Sequence, residues 1–115
     1  MKFLFKKVIK NTGVAYLIND LKIRPIEVKD IKNVQAFLMK QLKTFFNSDG
    51  QQALTDDVWG LAETYVQPEH NQLWAAFDEK GGVWATIAVC RYNGRIKSLA
   101  GRYDLPRTAE IGRCY

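Results

Sequence analysis

The residue types that most often do chemistry at neutral pH are few in this sequence, and they are not spaced as a ready-made site. His70 is the single histidine. It sits in the loop-like stretch Gln67-Pro68-Glu69-His70-Asn71, where an imidazole could act as base or ligand. No partner lies beside it in sequence, so we read it as a surface loop residue. Cys90 falls inside an apolar run and Cys114 close to the last residue. Neither has a second cysteine or histidine at metal-ligand spacing, so no metal site is expected, and both are read as small buried hydrophobes in a reducing compartment. Ser48 and Ser98 lack the strand-turn-helix setting of a nucleophilic serine. Arg91, Arg95, Lys97, Arg102, Arg107 and Arg113, with Tyr92 and Tyr103 between them, could contact phosphates. Trp59, Trp74, Trp84, Phe45 and Phe46 could line a pocket, but each lies on a periodic apolar face, and core packing is the expectation.

The bulk properties narrow the partners. Seventeen basic against twelve acidic residues give a formal charge of +5, enough to attract anions at long range. The basic residues are scattered, with no run longer than Lys6-Lys7, so a solvated basic surface is expected and not a nucleic-acid face. At 115 residues with 47% hydrophobic content, the chain is one domain with a single core. Lys6, Lys7, Lys10 and Asn11 interrupt the first apolar run before it reaches signal-peptide length, and no stretch approaches the roughly 18 apolar residues of a membrane span. The expected location is cytoplasmic, without a membrane partner.

The elements that must position any site follow from periodicity. Lys2 to Lys10 is assigned to strand, Asn11-Thr12-Gly13 to a turn, and Val14 to Ile18 to a second short strand ended by Asn19-Asp20. Leu21 to Ile26 alternates like a strand that Pro25 confines to an edge or to its own end. Lys29-Asp30 then caps a helix whose apolar stripe is Ile31, Val34, Leu38, Leu42 and Phe45. Asn47-Ser48-Asp49-Gly50 ends it. Thr55-Asp56-Asp57 caps a second helix carrying Val58, Leu61, Ala62, Tyr65 and Val66, with Gly60 allowing close packing and Pro68 marking the stop. Leu73 to Phe77 and Val83 to Tyr92 form an antiparallel hairpin across Asp78 to Gly82. Ser98 to Thr108 is a loop, and Glu110 to Tyr115 is a final strand at the sheet edge. The fold class is therefore α+β: a largely antiparallel sheet with two helices in the N-terminal half.

Three segments resemble the GNAT N-acetyltransferases. Leu21-Lys22-Ile23-Arg24-Pro25-Ile26 with Val28-Lys29-Asp30-Ile31 is similar to the family's opening strand and helix cap. Trp74-Ala75-Ala76-Phe77-Asp78 and Val83-Trp84-Ala85-Thr86-Ile87-Ala88-Val89 are similar to its central hairpin, although Ala85 stands where glycine is common. Thr108-Ala109-Glu110-Ile111-Gly112-Arg113-Cys114-Tyr115 is similar to the strand before its cofactor loop. The resemblance divides the chain into an N-terminal extension, 1–20, and the N-terminal half of a GNAT-like domain, 21–115.

What the resemblance implies is acetyl transfer from acetyl-CoA to an amine. Glu110 takes the place of a carboxylate near the acceptor, where it could deprotonate an ammonium directly or through water. Ile111, Arg113, Cys114 and Tyr115 take the place of the strand whose backbone pairs with the pantetheine arm. The family's glycine-rich pyrophosphate loop would follow Tyr115, and without its aligned N–H groups the main affinity for acetyl-CoA is missing. The expectation is a half-domain that is not catalytic alone. The alternative is a non-catalytic module that covers its terminal strand with a second copy or another polypeptide.

Overall fold

The computed structural model describes residues 5–10, 13–46 and 52–115. Six strands make one sheet: β1 (Phe5–Lys10), β2 (Gly13–Ile18), β3 (Leu21–Pro25), β4 (Gln72–Phe77), β5 (Val83–Arg91) and β6 (Ala109–Gly112). Their order in space is their order in the chain, and every neighbouring pair is antiparallel. This is the α+β arrangement that the periodicities predict, with the leader strands on one edge and the last strand on the other. Pro25 sits at the end of β3, opposite Trp74, where its missing N–H breaks no ladder bond in the strand interior. The turns expected at Asn11-Thr12 and Asn47-Ser48-Asp49-Gly50 lie outside the described residues.

Between β3 and β4 run a 3₁₀ turn (Val28–Asp30), helix α1 (Ile31–Phe46), helix α2 (Gln52–Trp59) and a wide π turn (Ala62–Val66) closed by Gln67 N–H donating to the Ala62 carbonyl at 2.8 Å. Val34, Leu38 and Leu42 recur every four residues, which stacks them on one helix face, and all three are buried. They meet Val58, Leu61 and Tyr65 from the second helical segment and Leu73, Ala75, Phe77 and Ala88 from the sheet. Gln35 fastens the two helices by donating from Nε2 to the Val58 carbonyl at 3.0 Å. Each fully buried leucine contributes about 2 kcal/mol of transfer free energy, so this cluster is the main support of the fold.

Both helices use the same face of the sheet. Alternation leaves Tyr16, Ile23, Trp74, Ile87, Val89 and Ile111 on the other. Tyr16 and Trp74 place their rings 6.2 Å apart there, while Ile87 and Val89 are each 37% exposed.

Several local expectations are corrected. Helix α2 begins at Gln52, so Thr55-Asp56-Asp57 lie inside it and do not cap it; Asp57 is committed instead to Tyr65 and Arg113. A Cβ on Gly60 would meet its neighbours at no less than 3.4 Å, so Gly60 marks the junction of α2 with the π turn and not a close packing. Phe45, Trp59 and Trp84 are exposed. Phe45 lies in the last turn of α1 and stacks on the Tyr115 ring, 6.5 Å between centroids. Trp59 flanks the Val58-Leu61 stripe, and Trp84 lies at the hairpin end, its indole N–H donating to Asp78 Oδ2 at 3.1 Å. Cys90 is only half-buried and Cys114 is exposed. The last strand stops at Gly112, because Arg113 adopts φ 46°.

Candidate functional site

The site begins with an irregularity in β6. Cys90 pairs with Glu110 and Ala88 with Gly112, but two residues on, Thr86 pairs with Tyr115. Ile87 therefore opposes both Arg113 and Cys114, which makes a β-bulge. Thr86 N–H donates to the Tyr115 carbonyl at 3.0 Å and Tyr115 N–H to the Thr86 carbonyl at 3.1 Å, while the Thr86 hydroxyl donates to the Arg113 carbonyl at 2.8 Å. A left-handed conformation in a residue with a Cβ costs about 1–2 kcal/mol, so the bulge needs these anchors.

Bonded pairs alternate in an antiparallel ladder. Tyr92 N–H donates to the Thr108 carbonyl, so alternation assigns the bonded pairs to Cys90 with Glu110 and Ala88 with Gly112. Ala109 and Ile111 then direct their N–H and C=O groups away from β5, to an edge that no other described strand covers. Ile111 is also 67% exposed at its side chain.

Beside the bulge lies a cleft of about 450 Å³, lined among others by Asp57, Tyr65, Cys90, Arg95, Glu110 and Arg113. Its charges are paired. Arg95 faces both carboxylate oxygens of Glu110, with Nε to Oε2 at 3.3 Å. The Arg113 guanidinium grips Asp57, Nε to Oδ2 at 2.8 Å, with Nη2 on Oδ1, and Tyr65 donates its hydroxyl to Asp57 Oδ2 at 2.6 Å. Burial pushes the Asp57 carboxyl up, but the hydrogen bonds from Arg113 and Tyr65 outweigh it and hold the group below the usual carboxylate range. Burial, then the Asp57 carboxylate, raise the Tyr65 hydroxyl, which stays a donor. Asp57, then Tyr115, keep the Arg113 guanidinium charged. Burial also raises the Cys90 thiol, with Glu110 and Asp57 adding to it, so it is not a poised thiolate.

The residues singled out in sequence are thus divided. Glu110 and Arg113 line the cleft, whereas the Ile111 side chain lies on the opposite face of the sheet, beside Val89. Tyr115 spends its N–H and C=O on Thr86, and Arg113 its carbonyl on the Thr86 hydroxyl. His70 is exposed in its loop, and Arg102 and Arg107 are exposed on the segment before β6. Asp57, Tyr65 and Thr86 are not site candidates in the sequence, the one available signal being that Asp57 and Tyr65 lie two turns apart on one helical side; Arg95, read there as a phosphate contact, is instead bound to Glu110. Among the described residues no group of three or more His, Cys, Asp or Glu side chains could hold a metal ion, and no helix is long and apolar enough to cross a membrane.

No protein-family model matches the chain, and no curated protein sequence does. Among solved structures, an acetyltransferase of the GNAT family from Staphylococcus aureus Mu50 superposes with a TM-score of 0.58 over 83% of this chain, at 14% sequence identity. The chain is therefore similar in fold to a GNAT-family acetyltransferase, and it spans about half the length, 52%, of the one it matches.

Proposed function

We propose that this chain is a GNAT-related, acetyltransferase-like module in which the open edge of β6 pairs with the pantetheine arm of acetyl-CoA and the adjoining cleft takes an amine. One observation carries this reading: the bulge at Arg113 closes an unpaired strand edge directly beside the Glu110 cleft. The residues fit the arm of the cofactor. Ile111 offers an outward N–H and C=O, which an amide-bearing arm would match as an added strand; Arg113 and Tyr115 have less to offer, since Thr86 already binds their carbonyls. Bound acetyl-CoA would supply the acetyl group as a thioester. Glu110 would accept a proton from an acceptor ammonium once Arg95 gives up its carboxylate.

The fit does not extend to the phosphates. Among the described residues no glycine-rich loop opening a helix borders β6, and the Arg113 guanidinium is committed to Asp57. We therefore expect weak acetyl-CoA binding and no turnover by residues 1–115. Calorimetric titration with acetyl-CoA tests this, alongside Ile111→Pro, which removes an outward N–H without breaking a bond to β5. Weak binding that pantetheine competes and Ile111→Pro abolishes is the expected result. Binding unchanged by that substitution, or amine acetylation by these residues alone, would overturn it.

A second reading is favoured by the apolar surroundings of the same edge. Ile111 is 67% exposed, next to Val89, so a second copy could add its β6 there and form a dimer. Light scattering distinguishes the two: a dimer dispersed by Ile111→Lys supports self-association, and a monomer at all concentrations sinks it.

A further inference from the structure

The bulge in β6 is held from outside the sheet. Arg113 has φ 46° although it carries a side chain, and the easier residue for that conformation, glycine, stands one position earlier at Gly112. The hydrogen bonds from Thr86 fix the carbonyl side of the bulge, but they would not by themselves choose which way the Arg113 side chain leaves the strand. The largest hold on that side chain is Asp57, which lies on α2, 56 residues earlier in the chain, with Tyr115 adding to it. The two side chains are 18% and 23% exposed, so the pair is shielded from water and stronger than a surface ion pair. Asp57 is itself fixed, because Tyr65 in the π turn donates to the oxygen that receives Arg113 Nε.

We infer that Asp57 is a positioning residue: through Arg113 it holds the β6 bulge open and couples α2 to the strand edge that our functional reading gives to the acyl donor. Without Asp57, Arg113 returns to the extended region and the extra residue of the bulge is absorbed. Side chains alternate along a strand, so a one-residue slip turns everything after it to the opposite face. The Tyr115 ring would then leave Phe45, and the Tyr115 amide would leave Thr86.

The functional consequence rests on the acetyl-CoA reading, but the coupling can be read without it. Backbone NMR and amide exchange of the chain, for Asp57→Ala, Arg113→Gly and the double variant, test it. Asp57→Ala is expected to move the Arg113 Cα shift out of the left-handed range and to speed Tyr115 amide exchange by about tenfold or more. Arg113→Gly should retain Tyr115 protection, because glycine accepts the conformation unaided, and Asp57→Ala added to it should change nothing further. An Arg113 shift and Tyr115 protection unaltered by Asp57→Ala overturn the inference. Should Asp57→Ala fail to fold, the double variant decides: folded with a protected Tyr115 amide supports the inference, and unfolded overturns it. In parallel, Asp57→Ala should weaken acetyl-CoA binding and the double variant restore it. A chain that never binds acetyl-CoA refutes the functional reading and leaves the coupling to be judged by NMR alone.

Discussion

Arg24 and Asp30 face each other with two parallel hydrogen bonds, Nη1 to Oδ2 at 2.6 Å and Nη2 to Oδ1 at 2.9 Å. The carboxylate also accepts the Glu27 N–H at 2.8 Å, and the guanidinium lies 4.2 Å above the Phe77 ring. β3, the 3₁₀ turn and β4 thus meet at one ion pair. Removing one partner strands a buried charge and leaves a backbone donor unbonded. Asp30→Ala should cost about 3 kcal/mol in urea unfolding, and Arg24→Met combined with it should cost less than the two singly.

Stability should fall in acid, and two of the shielded carboxylates contribute to it. Burial pushes the Asp30 carboxyl up, but Arg24 and the Glu27 N–H more than reverse this, so Asp30 and Asp57 both titrate below the usual range in the folded chain. The unfolded chain then binds more protons. The contribution of each is complete above the ordinary carboxylate pKa of about 4 and disappears as the pH drops through the depressed value. Asp30→Asn or Asp57→Asn should flatten the slope of unfolding free energy between about pH 5 and pH 2 relative to the parent; slopes that match the parent would refute the assignment.

Leu38 is fully buried between the two helices and the sheet. Leu38→Ala should lower unfolding free energy by about 3 kcal/mol. Phe45→Ala, at a position 66% exposed on the same helix, should cost well under half of that.

The β4–β5 hairpin depends on a glycine without unusual backbone angles. A Cβ at Gly82 would stand 2.6 Å from Asp78 Oδ2, and that carboxylate accepts from Lys80 N–H, Gly82 N–H and the Trp84 indole. Gly82→Ala should therefore cost about 1–2 kcal/mol by displacing Asp78. In an Asp78→Ala background the same change should be much milder, which thermal unfolding of the four proteins would read.

The strands were legible in the sequence because their apolar residues alternate, and α1 because Val34, Leu38 and Leu42 repeat at helical spacing. Glu110 is a candidate in the sequence only through the family resemblance of its segment, and the structure sets it in the cleft with Arg95. What escaped was tertiary. Nothing local marks Arg113 as left-handed, since its anchor, Asp57, is 56 residues away and reads in sequence as an ordinary first-turn carboxylate. Trp59 and Trp84 read as core because each falls on a periodic apolar face, yet Trp59 is the last residue of α2 and Trp84 is bonded to Asp78 at the hairpin end, and both are exposed. Arg95 was one basic residue among many until the loop brought it to Glu110.

Strand order in space repeats strand order in the chain, and this bears on how the protein is made. A ribosome releases residues one after another, and domains fold from the N-terminal side as they emerge. Each new strand here finds the edge it needs already laid by its predecessor, and only the step from β3 to β4 must wait for the helices between them. Of these six strands, β6, which carries the candidate edge, emerges last, so β1 to β5 can be laid down before the strand that pairs with β5 arrives.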